Sequence, residues 1–168
     1  MLDFLLDVDT PVELANYLSL NRVICDLEIT SRKRLFERLA KLLVIDLEEQ
    51  DEKKIFRALV EREKLGSTCV GDGLAIPHGR IEGLLEPRIA IVRLAEPVDY
   101  GARDNKPIRM AFALLVPKDA TDEHLKILGL LAERLSDNDV RQQLYIAGSA
   151  QQLFDSFLAD SALSKAAG

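Results

Sequence analysis

The chain has 168 residues, 48% of them hydrophobic and 30% charged, with a formal net charge of −6 at neutral pH. That size and balance fit one folded domain with a sizeable core and exclude a generally disordered chain. The acidic balance offers no electrostatic footprint for nucleic acid, and the longest apolar run, "MAFALLVP", falls far short of the roughly 20 residues a spanning helix needs.

The opening "MLDFLLDVDTP" has an apolar rhythm, but it is acidic where a secretory signal is basic and lacks a cleavage-like tail of small residues. A cytoplasmic protein without membrane insertion is expected. Residues 1–21 are set apart as an N-terminal segment, either a packed helix or a partner-binding appendage. The domain proper is expected over 22–160, with a short tail over 161–168.

"RVICDLEI", Arg22 to Ile29, is β-branched and partly alternating, which predicts a strand. Thr30 or Ser31 then caps a helix on which Leu35, Leu39, Leu42 and Leu43 recur at helical spacing. A second helix starts near Asp51, carries Ile55, Leu59 and Val60, and stops before Gly66. "LAIP", "RIAIVRL" and "IRMAFALLVP" read as buried strands, with "YGARDNKP" as the turn before the last. Thr121 is expected to cap a helix carrying Leu125, Leu128, Leu131 and Leu135, with a turn at "SDND". Ser149 and Gln152 form a capping box for a final helix through Leu158. Strands clustered between helical groups predict one mixed sheet covered by helices, class α/β or α+β.

The stretch "GSTCVGDGLAIPHGR", Gly66 to Arg80, holds four of the nine glycines and one of the two histidines. It fails as a P-loop, because Asp72 stands where the lysine is needed and would repel phosphates. It fails as a dinucleotide fingerprint, because Ile76 fills the third glycine position and Pro77 follows. Asp72-Gly73 could form a hairpin turn, which accounts for the glycines alone but not for the histidine. Cys25 and Cys69 have no CxxC pairing and read as free thiols; with the two histidines they match no zinc-ligand spacing, and neither metal nor cofactor is called for.

A neutral imidazole has one nucleophilic ring nitrogen, and N-phosphorylated histidine passes its phosphoryl group on readily, so His78 suits a relay. Such chemistry needs a cation and several donors around the phosphate. Arg62 could fork onto two phosphate oxygens. Ser67, Thr68 and the backbone amides at Gly71, Gly73 and Gly79 could donate. His124, in the first turn of its helix, sits where the dipole lowers an imidazole pKa and welcomes an anion. Arg80 could face the same phosphate or be a solvated strand-end residue. Taken singly, each has a structural reading as well: a surface ion-pair partner for Arg62, an exposed polar residue for His124, a strand-end histidine for His78.

Two stretches join these residues. "GSTCVGDGLAIPHGR" closely resembles the phosphohistidine segment of the fructose/mannitol-type IIA components of the bacterial phosphotransferase system, and "FALLVPKDATDEHLKILGLLAERL" resembles their second signature. The similarity runs from about Val23 to Leu158 and is greatest to the nitrogen-regulatory branch, also through "PVDYGARDNKPIRMAFALLVP". The resemblance implies a central mixed sheet with helices on both faces. It implies that His78 accepts phosphate from a small histidine phosphocarrier protein, and that Arg62 and His124 line the same pocket. Cys69 stands where glycine is expected, and "MLDFLLDVDTPVELANYL" matches no signature. Three functions are carried forward: a regulatory phosphocarrier acting on target proteins, a sugar-specific IIA protein that passes phosphate to a IIB domain, and a binding module that keeps only the fold.

Overall fold

The computed structural model describes residues 14–159. The segment 1–13, and with it most of the N-terminal segment set apart above, lies outside the described residues, as does the tail 161–168. A 3-10 turn, Leu14–Tyr17, leads into β1 (Leu18–Leu27), followed by α1 (Arg32–Leu43) and α2 (Glu52–Lys64). Then come β2 (Cys69–Gly71), β3 (Leu74–Ala75), β4 (His78–Ile81), β5 (Arg88–Val98) and β6 (Ile108–Pro117). Three helices close the chain: α3 (Thr121–Ser136), α4 (Asn138–Ile146) and α5 (Ala150–Leu158).

The six strands form one mixed sheet in the order β1-β5-β6-β3-β2, with β4 also alongside β6. β5 and β6 pair antiparallel in the middle; β1 runs parallel to β5, β3 and β4 run parallel to β6, and β2 returns antiparallel to β3. β5 and β6 are apolar on both faces because helices cover both. Ala90, Val92, Ala111, Ala113 and Leu115 meet Leu35, Leu39, Ile55 and Leu59 of α1 and α2. Ile89, Ile91, Met110, Phe112 and Leu114 meet Ile127, Leu131, Leu144, Leu153 and Phe157 of α3, α4 and α5. The predicted α/β class, single domain and two-sided helical cover are all present.

Helix entries follow their side chains. Ser31 accepts from the Arg34 amide, Asp51 from Lys53 and Ser149 from Gln152. The Gln152 side chain reaches back one residue further than a capping box requires, to the Gly148 amide. Thr121 does not cap α3. A turn closed by the Ala120 amide on the Pro117 carbonyl advances the helix entry, so Ala120 holds the cap position and Thr121 is the first helical residue. The buried face of α3 is His124, Ile127, Leu131 and Leu135, whereas Leu125 is exposed. β1 also begins earlier than Arg22, at Leu18, which pairs with Ile89. Polar Ser19 and Asn21 conceal that start in the sequence, since Asn is depleted in strands.

Candidate phosphoryl-transfer site

His78 opens β4, and its position follows from the proline before it. Pro77 has no N–H to give to the sheet, so the ladder beside β6 breaks between β3 and β4. The Pro77 carbonyl still accepts from the Leu114 amide, which keeps the chain in register so that His78 pairs with Leu114. His78 is buried, and its Nδ1 lies 2.8 Å from the Ile76 carbonyl. A carbonyl only accepts, so Nδ1 carries the ring proton. On the other side Arg62 Nε donates to His78 Nε2 over 3.1 Å. Both bonds demand the same tautomer and leave the lone pair on Nε2.

Arg62 comes from the last turn of α2, with its Nη1 tied to the Gly66 carbonyl at 3.0 Å. It reaches His78 because α2 lies directly against β4. A Cβ built on Gly79 would stand 3.1 Å from Ala58 Cβ and 3.2 Å from the Ala58 carbonyl carbon. Only glycine lets helix and strand approach this closely.

His124 arrives from the opposite helical layer, on α3. Its ring meets that of His78 edge to face, with centroids 5.3 Å apart. Arg80 Nε donates to His124 Nδ1 at 3.2 Å, so in the neutral ring the proton sits on Nε2. That Nε2 is buried and has no partner among the described residues. The two imidazoles therefore hold opposite tautomers, one presenting a lone pair and the other an N–H. The backbone amide of His124 is already bonded to the Ala120 carbonyl, so among its donors it is the ring N–H that remains for an anion.

Burial pushes the His78 pKa below its ordinary value, and Arg62 and Arg80 push the same way against the Ile76 hydrogen bond and Glu63. His124 is lowered to about 4 by burial, then by His78, Arg80 and Arg62. Both rings are uncharged at neutral pH, while two guanidinium groups supply the positive field.

The other residues proposed as phosphate donors have structural duties. The Thr68 hydroxyl is buried and donates to Glu63 Oε2 at 2.6 Å, and the Tyr100 hydroxyl, 2.8 Å away, donates to it in turn. The Thr68 amide donates to Glu63 Oε1. Ser67 Oγ accepts from the Cys69 amide at 3.2 Å. Gly71 and Gly73 flank Asp72 at the tip of the β2–β3 hairpin. Asp72 (φ 54°) and Gly73 (φ 77°) are its two turn residues, the left-handed pair of a type I′ turn. Leu74 pairs with Met110 and His78 with Leu114, which sets this tip about 13 Å or more from His78 along β6. Gly71 and Gly73 are therefore remote from the histidine, and Gly79 is a packing glycine beside it. Nothing in the sequence marks Glu63 and Tyr100 as partners of Thr68, since the spacing of a carboxylate beside Arg62 does not signal that it is buried.

Among the described residues, no helix is long and apolar enough to cross a membrane. Residues 16–160 match the family described as phosphoenolpyruvate-dependent sugar phosphotransferase system, EIIA 2. The chain is 42% identical over 143 residues to a nitrogen regulatory protein of Pseudomonas aeruginosa, covering 85% of this chain and 93% of that protein. Over 98 residues it is 41% identical to a PTS system fructose-specific EIIA component of Haloferax volcanii, 58% of this chain and 64% of that one. The crystal structure of nitrogen regulatory protein IIA-Ntr from Neisseria meningitidis matches with a TM-score of 0.80 at 39% identity, over 86% of this chain and 98% of that chain.

Proposed function

Because the chain belongs to the EIIA 2 family of the phosphoenolpyruvate-dependent sugar phosphotransferase system, we propose that it is a cytoplasmic phosphohistidine carrier of the nitrogen-regulatory kind. His78 accepts a phosphoryl group from a histidine phosphocarrier protein, and its phosphorylation state sets which target proteins the domain binds. The observation that carries this reading is the meeting of His78, Arg62 and His124 in one place, with complementary tautomers and both rings uncharged.

The step follows from those atoms. The Nε2 lone pair attacks phosphorus as the donor's N–P bond breaks, and the bonding pair leaves with the donor imidazole. No proton has to move. Positive charge that builds on the His78 ring is stabilised at Nδ1–H by the Ile76 carbonyl. Arg62 must slide from Nε2 onto the phosphoryl oxygens, where its fork is better matched than a point charge. The unpartnered His124 Nε2–H supplies a further donor. The added phosphate brings negative charge and strong acceptors to a site of uncharged rings and guanidinium groups, which changes the partners it suits.

The test is transfer of label from phosphoenolpyruvate through the donor enzyme and a histidine phosphocarrier. Acid-labile phosphate should map to His78 and vanish in His78→Ala. Unchanged labelling of that variant would refute the site, and an unlabelled wild type would leave the binding-module reading. The likeness to a fructose-specific EIIA component favours a second reading, a sugar-specific protein that hands phosphate to a IIB domain. Rapid chase of label from the isolated phosphoprotein onto a IIB domain would select it.

A further inference from the structure

We propose that Arg80 is a positioning residue for phosphoryl transfer: by donating from Nε to His124 Nδ1 it holds that ring in the tautomer whose N–H is free for a phosphoryl oxygen. This rests on the carrier reading above and adds to it a residue that acts through His124 rather than on phosphate.

Strand geometry places Arg80 for the task. Successive side chains of a strand point to opposite faces, so Arg80 shares a face with His78 two residues earlier, while Gly79 and Ile81 turn to α2. That shared face is the one α3 approaches, and there the Nε of Arg80 meets Nδ1 of His124 at 3.2 Å. The contact is directional. A guanidinium N–H never accepts, so while this bond stands His124 cannot carry its proton on Nδ1. The proton goes to Nε2, which is buried beside His78 and unpartnered among the described residues. An orphaned buried donor is unfavourable in the resting protein, and it is kept by an interaction made at the other end of the ring.

Removing Arg80 releases the constraint. His124 would then exchange between tautomers, and the form with its lone pair on Nε2 would turn an acceptor toward an incoming anion. The rest of the side chain is exposed at an open groove of about 510 Å³ shared with Lys54, Arg57, Glu61, Glu82, Lys118 and Asp119. The fold does not depend on it, so its variants remain testable.

The chain holds only two histidines, so long-range proton–nitrogen spectra of histidine-labelled protein give two readable ring systems. Wild type should show opposite patterns, Nδ1–H for His78 and Nε2–H for His124. In Arg80→Met the His124 nitrogens should move toward an averaged, mixed pattern while those of His78 stay. The rate of labelling by the phosphocarrier should fall about tenfold. A pure Nε2–H pattern in Arg80→Met would overturn the proposal, as would a lost pattern with an unchanged rate. Arg80→Lys keeps the charge but not the rigid Nε donor; a mixed tautomer with a wild-type rate in that variant would assign Arg80 a charge role and overturn the positioning one. A wild type that shows the opposite tautomers yet takes no label would instead refute the carrier reading, so the two failures are distinct.

Discussion

Replacing Thr68 by valine separates a phosphate ligand from a structural post. Valine matches threonine in shape and removes only the hydroxyl. The Thr68 amide bond to Glu63 Oε1 survives, but the 2.6 Å bond to Glu63 Oε2 is lost and the Tyr100 hydroxyl loses its acceptor 2.8 Å away. A hydrogen bond to a charged group contributes about 1.5–3 kcal/mol, and an unsatisfied buried partner adds about 1–3 kcal/mol. The expected loss is therefore about 2.5–6 kcal/mol, a large share of the roughly 5–15 kcal/mol that holds such a domain folded. Urea unfolding checks this: with an m-value of about 1–3 kcal/mol/M the midpoint should fall by about 1 M or more, with m unchanged. Labelling by the phosphocarrier, measured where the variant is folded, should stay within a few-fold of wild type. A variant of wild-type stability that labels more than tenfold slower would refute the reasoning and make the hydroxyl a phosphate donor.

Gly79→Ala should push α2 outward by a few tenths of an ångström, because its Cβ meets Ala58 at 3.1–3.3 Å. Overpacking of this kind costs about 1–3 kcal/mol, and labelling should slow several-fold as Arg62 is drawn from His78; equal stability and rate would show that the helix yields freely. Arg62→Lys should slow labelling without abolishing it, because the charge survives and the fork does not; a wild-type rate would reduce Arg62 to a point charge. His124, lowered to about 4 in the fold, binds fewer protons there than in the unfolded chain between about pH 4 and 6.5. Its stabilisation, at most about 3 kcal/mol, is present above pH 6.5 and lost as pH falls toward 4, and His78 acts in the same direction. Urea midpoints at pH 7.5 and 4.5 should differ less in His124→Asn than in wild type, and an identical difference would contradict the low pKa.

What the sequence disclosed and what it hid divide along physical lines. Local signals carried through: Ser31, Asp51 and Ser149 cap helices because a short oxygen side chain reaches the nearby amide, and Asp72-Gly73 turns the hairpin because its backbone angles suit that pair. His78, Arg62 and His124 are each candidates on their chemistry alone, but only the resemblance joins them in one site, since each lies on a different element and no spacing links them. Contacts across the fold stayed hidden. Thr68 reads as a phosphate donor in a glycine-rich loop, but Glu63, five residues back, and Tyr100, 32 residues on, claim its hydroxyl. Of the leucines the helix α3 carries, Leu131 and Leu135 are inside and Leu125 is exposed, although all are equally apolar; tertiary packing puts Ile127 and His124 on the buried face beside them.

The two helices that supply Arg62 and His124 belong to separate cores, α2 to one side of the sheet and α3 to the other. The histidine between them stands on the thin seam where these layers come together. Any protein that settles over this seam touches both halves of the sandwich at once, as the jaws of a caliper do. A shift of either layer by a few tenths of an ångström is therefore felt at this seam, where Arg62 and His124 flank His78.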